Sequence, residues 1–273
     1  MDGHEELSKP TRRQASPAMV SASAAPPVVV VRMGRGRTGG STLLDWAIQW
    51  SRSQGHAVMI ADGDRRNPTL AGLYPPETPG GAIQPPTEEM PDVMAWVGDA
   101  LSTVATDRVS LVLDLGGGDR VLAEVARDVA PVEFCEAHGI KSLALFVCGP
   151  EQDDFEHILA IYRAGYFQAS RSLLVLNEHL VPRGRTPAGA FDGILARPEI
   201  PEMLDTGMLI VLMPRLPCMD HLRASGLTIM DAVANKPGKD GKPLDPLRQF
   251  MVVTWHKRMI EAFTKVGALA WLP

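Results

Sequence analysis

Residues 28–33 read Val-Val-Val-Val-Arg-Met and run directly into Gly34-Arg35-Gly36-Arg37-Thr38-Gly39-Gly40-Ser41-Thr42. An unbroken β-branched run without in-out alternation is how a strand looks when neither face meets water. The glycines allow a tight turn, and the segment Thr42–Ser53 that follows reads as a helix. A buried strand, a glycine turn and a helix start aim backbone N–H groups and a helix N-terminus at one spot. That is the construction of a phosphate-binding loop. Gly34, Gly39 and Ser41 fit the pattern G-x-x-x-x-G-K-[ST], but Gly40 stands where the pattern has lysine.

The rest of the chain repeats the alternation of apolar runs and helical segments. Strands are expected at Val28–Met33, Ala57–Ala61, Ser110–Asp114, Ser142–Cys148, Ser172–Leu176 and Leu209–Met213. Helices are expected at Thr42–Ser53, Asp92–Thr103, Val121–Val129, Glu151–Ala164, Met219–Ala224 and roughly Asp245–Val266. This order predicts an α/β fold with a single doubly wound, mostly parallel sheet and helices on both faces. Tyr74–Pro91 and Val181–Ala188, rich in Pro and Gly, read as loops, and residues 1–26 read as a disordered N-terminal tail ahead of a domain over 27–273. In the last helix Val252, Trp255, Met259, Phe263 and Val266 recur at three- or four-residue steps, which is read as core packing rather than a membrane-seeking face.

Composition narrows the class. With 45% hydrophobic and 22% charged residues among 273, the chain has the make-up of a soluble globular protein. A net charge of −5 advertises neither nucleic acid nor membrane, although Lys9-Pro10-Thr11-Arg12-Arg13 is a local basic cluster. Three cysteines without metal-ligand spacing fit a reducing cytoplasm. The seven histidines form no triad or metal spacing.

Gly34-x-Gly36-x-x-Gly39 also satisfies the dinucleotide fingerprint G-x-G-x-x-G, with Gly55-His56 and Asp62 as its second strand. Gly39 to Gly55 is sixteen residues, however, about one helical turn longer than that fold expects. An oxidoreductase would also need an acid or base beside a nicotinamide, and none presents itself.

The loop, the second strand and the third strand together resemble the ParA/MinD family of deviant phosphate-loop ATPases. Residues 35–42 resemble the family's K-G-G-x-G-K-[ST]-[ST]. Asp62-Gly63-Asp64, twenty-two residues after Gly40, resembles its D-x-D. Leu111–Gly118 resembles its apolar run ending D-x-[PG]-[PAG]-G. Leu174-Val175-Leu176-Asn177 resembles its V-x-N, and Met213-Pro214 with Ala224–Gly226 and Asp231 loosely resembles its closing stretch.

The resemblance implies ATP and Mg²⁺ as cofactors, a homodimer, and a role in positioning cargo through a protein partner or adaptor, as in plasmid partition or conjugative transfer. It implies that backbone N–H groups of Gly36, Arg37, Thr38, Gly39, Gly40 and Ser41 cradle phosphates and that Thr42 reaches a phosphate oxygen. Ser41 would meet the ion, with Asp62 and Asp114 supporting it through waters. Asp64 would orient the hydrolytic water, Arg35 would reach the partner's phosphates, Asn177 would hydrogen-bond the adenine edge, and Pro214 would be a further cofactor-binding residue. Arg35 keeps a charge where the family has lysine; Gly40 drops one, and Arg37 within the loop is a candidate substitute. Weak ATPase activity, nucleotide binding without turnover, and a partner-binding scaffold without nucleotide all stay open.

Overall fold

The computed structural model describes residues 25–116 and 119–273. Nearly all of the expected tail, with its basic cluster, and Gly117 and Gly118 of the third-strand motif lie outside the described residues.

The chain runs β1 (Val28–Met33), α1 (Gly40–Ser53), β2 (Val58–Asp62), α2 (Thr69–Leu73), β3 (Ala82–Ile83), α3 (Met90–Asp107) and β4 (Ser110–Asp114). It continues through α4 (Asp119–Val129), α5 (Pro131–Ala137), β5 (Lys141–Cys148), α6 (Gln152–Ala164), β6 (Arg171–Asn177), α7 (Asp192–Leu195) and α8 (Glu199–Asp205). It closes with β7 (Leu209–Met213), α9 (Met219–Ala224), α10 (Ile229–Val233) and α11 (Pro246–Lys265).

The seven strands form one sheet in the order β3-β2-β4-β1-β5-β6-β7, and every pairing is parallel. β1 is central. The chain leaves it towards β2 on one side and later crosses over it from β4 to β5. Open sheets place ligands at such a switch point, outside the carboxyl ends of the strands.

Alternation along β1 divides the core. Val28 and Val30 pack with Leu43, Trp46 and Ile48 of α1 and Val252, Trp255, Met259 and Phe263 of α11. Val29, Val31 and Met33 face the opposite way, among Val97 and Leu101 of α3 and Phe155 and Ile158 of α6. Helices therefore cover both faces, which is why the strands need no polar side. Each fully buried aliphatic or aromatic side chain contributes about 1.5–3 kcal/mol of transfer free energy. The stripe of α11 is core as its period suggested, while Lys257, Arg258 and Lys265 stay exposed. Asp245 caps this helix by accepting from the N–H groups of Leu247 and Arg248, and Pro246 follows it in the first turn.

Several local expectations are corrected. The Tyr74–Pro91 stretch is not all loop: it contains β3, paired through Ile60 with Ala82 and Ala61 with Ile83, and its last two residues begin α3. A two-residue edge strand has no periodicity to read. α1 begins at Gly40 rather than Thr42, and β2 runs to Asp62 rather than ending at Ala61. The short helices α2, α5, α7, α8 and α10 were not expected. Helices of one or two turns are marginal alone and exist through packing that a sequence window does not contain.

Candidate phosphate-binding site

Gly34 turns the chain out of β1 with φ +124°, and a Cβ there would stand 2.7 Å from the Val147 carbonyl oxygen. Only glycine fits both the dihedral and the space. Gly34→Ala is therefore expected to destabilise the protein by about 1–3 kcal/mol. Gly36, outside the left-handed region and with nothing within 4 Å of an added Cβ, should accept alanine within about 0.5 kcal/mol. Urea unfolding of the two variants checks this contrast; equal midpoints would refute it.

Past the turn, Arg37 holds φ +67° on the exposed crest and Gly39 holds φ +89° just before α1. Asn177, at the end of β6, braces the loop from the side. Its Nδ2 donates to the Thr38 carbonyl at 2.8 Å, and its Oδ1 accepts from the His179 N–H at 3.0 Å. Each end of that amide retains a further hydrogen-bonding position.

Ser41, in the first turn of α1, donates from Oγ to Asp114 Oδ2 at 2.8 Å. Asp114 and Asp62 are direct neighbours at the carboxyl ends of β4 and β2. Both are buried. Asp62 accepts from the N–H groups of Ala71 at 2.9 Å and Asp64 at 3.2 Å. Burial, reinforced by the Asp114 charge and opposed by these hydrogen bonds, pushes its carboxyl up to about 6. A raised carboxyl pKa means that the folded state loses stability as pH rises from about 4 to 6, when this buried group must ionise. Asp64 accepts from the Asn67 N–H at 3.0 Å and lies against Gly116.

Ser41, Asp62 and Asp114 are hard oxygen donors of the kind Mg²⁺ takes. Among the described residues no group of three or more His, Cys, Asp or Glu is placed to hold a metal ion by itself.

Two clefts meet at Gly39 and Thr42. One, of about 620 Å³ with its mouth, is polar and lined by Arg37, Ser41, Asp64, Asp114 and Gly116. The other is narrower and apolar, lined by Asn177, Met213, Pro214 and Trp255. Trp255 fixes the wall of the second by donating from Nε1 to the Pro214 carbonyl at 2.7 Å. Arg35 lies outside both, half-exposed, with Nη1 3.3 Å from Asp154 Oδ1. Such surface pairs are weak and leave the side chain free to move. The structure thus gathers Gly36 to Thr42, Asp62, Asp64, Asp114, Asn177 and Pro214 around one loop, with Arg35 at its rim.

One residue was not singled out from the sequence. Arg32, only 5% exposed, folds under the loop from the α1-facing side of β1. It donates to the carbonyls of Arg35 at 2.5 Å and Gly116 at 2.9 Å and to Thr38 Oγ1 at 3.0 Å. A Cβ at Gly40 would stand 2.0 Å from its Nε. The signal available in the sequence was a charged residue closing a run of four valines, eight positions before the glycine that replaces lysine.

No family model matches the chain, and no curated protein matches it. Similar solved structures include the MinD cell division protein of Aquifex aeolicus, at 13% identity and TM-score 0.47 over 86% of this chain and 97% of that one. FtsY of Thermotoga maritima is 16% identical with TM-score 0.44, over 85% of this chain and 69% of that one. The signal recognition particle receptor FtsY of Elizabethkingia anophelis, solved with GDP, is 13% identical with TM-score 0.45 and covers 72% of this chain. This chain spans 60% of the length of that FtsY.

Proposed function

We propose that this chain is a ParA/MinD-like phosphate-loop protein that binds ATP with Mg²⁺ at the carboxyl edge of its sheet. The observation that carries the reading is the loop from Gly34 to Thr42, opening α1 with Ser41 already on Asp114 and Asp62 alongside. The backbone N–H groups of residues 36–41 would take the phosphates, since a helix N-terminus favours anions. Ser41 would hold Mg²⁺, with Asp62 and Asp114 supporting it through waters, and the ion would supply charge neutralisation at the phosphates. Thr42 would contact a phosphate oxygen, Asp64 would orient water, and the base would enter the apolar cleft by Asn177 and Pro214. Arg35, on a weak surface tether, would swing to the phosphates of a partner protomer in a nucleotide-bridged homodimer.

On the resemblance of its motifs, the process would be cytoplasmic handling of cargo through a protein partner, as in plasmid partition or conjugative DNA transfer. No helix among the described residues is long and apolar enough to cross a membrane.

Calorimetric titration of the full chain with ATP–Mg²⁺ tests the site. Binding is expected, weakened about tenfold or more in Ser41→Ala or Asp114→Asn, the scale of a lost hydrogen bond to a charged group. Absence of binding at millimolar ATP–Mg²⁺ would leave the fold as a scaffold for a partner instead.

A further inference from the structure

The loop has lost its lysine, yet the space that a side chain at position 40 would enter is full. An added Cβ there lies 2.0 Å from Arg32 Nε and 2.8 Å from both Cδ and Cζ. The stem of Arg32 therefore runs through the volume that a lysine stem rooted at the start of α1 would occupy. Its guanidinium ends beneath the loop, bonded to the Arg35 carbonyl, Thr38 Oγ1 and the Gly116 carbonyl, on the wall of the polar cleft that also holds Ser41 and Asp114.

We propose that Arg32 replaces the missing lysine: the cation facing the β/γ-phosphates is supplied from strand β1 instead of from helix α1, and Gly40 is glycine because Arg32 needs the room. The inference rests on the nucleotide reading above and deepens it. Alternation along the strand makes the exchange feasible. Val28 and Val30 face α1, so Arg32 faces it too, at the point where β1 ends under the loop. A guanidinium stays charged at any physiological pH, so even with its N–H donors on loop acceptors Arg32 keeps a positive charge on the wall of the cleft. Because the residue is buried, its charge is little screened, and a cation there raises the affinity of the cleft for anions. The other arginines of the loop do not share this position: Arg37 is exposed on the crest, and Arg35 lies at the rim against Asp154.

The two positions are thereby coupled, which makes the proposal testable by a double-mutant cycle on the full chain with ATP–Mg²⁺ as titrant. Arg32→Thr is expected to weaken binding about tenfold or more, as loss of a buried cation on the wall of an anion site does. Gly40→Lys alone should also weaken binding, because its stem collides with Arg32. Arg32→Thr combined with Gly40→Lys should recover most of the wild-type affinity. A lysine at position 40 is not placed to repeat the full set of loop bonds made by Arg32, so recovery reports the charge and not the tether. Arg32→Met, which keeps the bulk and drops the charge, gives the same comparison with wild type if Arg32→Thr does not fold.

Wild-type affinity in Arg32→Thr or Arg32→Met, or a double variant as weak as Arg32→Thr, would overturn the proposal while leaving nucleotide binding intact. Wild type that does not bind, beside a double variant that does, would show that Arg32 plugs the cleft. If neither binds, the nucleotide reading itself fails.

Discussion

Arg223→Met is expected to cost about 3–5 kcal/mol of stability, the scale of a buried ion pair that loses one partner. Asp45 of α1 is fully buried and lies 3.1 Å from Arg223 of α9, through Oδ2 and Nη2. Its Oδ1 accepts from the Tyr74 hydroxyl at 2.6 Å and from Gln49 Nε2 at 2.5 Å. Gln49 in turn accepts from the Met230 N–H in α10 at 2.7 Å. Burial first, and then the Asp45 charge, hold the Tyr74 phenol protonated well above its ordinary range. The cluster therefore ties α1 to the segment after α2 and to α9 and α10, and Arg223 is the cation paired with its carboxylate. Without it a carboxylate stays buried with only neutral donors. Asp45→Asn should cost less, because Arg223 is 26% exposed and can turn to water. Urea unfolding at neutral pH measures both. The thermal midpoint of Arg223→Met should fall by about 6 °C or more, given about 2–4 °C per kcal/mol in a domain of this size. A loss under about 1 kcal/mol, or Asp45→Asn costing more than Arg223→Met, would overturn this account of the cluster.

Trp46→Ala should be as damaging, at about 3–5 kcal/mol, the usual range for removing a buried large aromatic. Trp46 has no exposed surface, stands with its ring centroid 4.8 Å from that of Phe263, and donates from Nε1 to His256 Nδ1 at 3.2 Å. It joins α1 to α11. Burial lowers the His256 pKa below 6.5, in keeping with a neutral ring that accepts from Trp46. The sign follows: this bond stabilises the fold above the unfolded pKa, and its contribution is lost as pH falls through the lower folded value. Trp46→Phe keeps most of the apolar bulk and removes the donor, so it should cost about 1–3 kcal/mol at neutral pH and less in acid. A Trp46→Ala variant within about 1 kcal/mol of wild type would mean that α11 is not anchored through this ring.

Both contacts show where sequence reading stops. The apolar period of α11 was visible, and it does bury Val252, Trp255, Met259 and Phe263. The pairing of Trp46 with His256 joins residues 210 positions apart, and nothing local to either announces it. Asp45 and Arg223 lie 178 positions apart, and nothing local to either marks the pair. Strands were legible because buried parallel strands are continuous apolar runs: β1, β4 and β7 match their expected bounds. β3 and the one-turn helices were not, because so few residues carry no period. In the candidate site, Ser41, Asp62 and Asp114 were named from the resemblance of their motifs to a family, and the sheet register sets the two carboxylates side by side. Gly40 looked like a simple loss of charge.

By itself, then, the sequence determined the sheet, the loop and the absence of a lysine, because hydrophobic period and glycine spacing act within a few residues of chain. Only the tertiary structure decided what stands in that lysine's place. Position 32 and position 40 meet because β1 passes beneath the first turn of α1, and the glycine that appears as a gap in the motif is the room that a buried arginine requires.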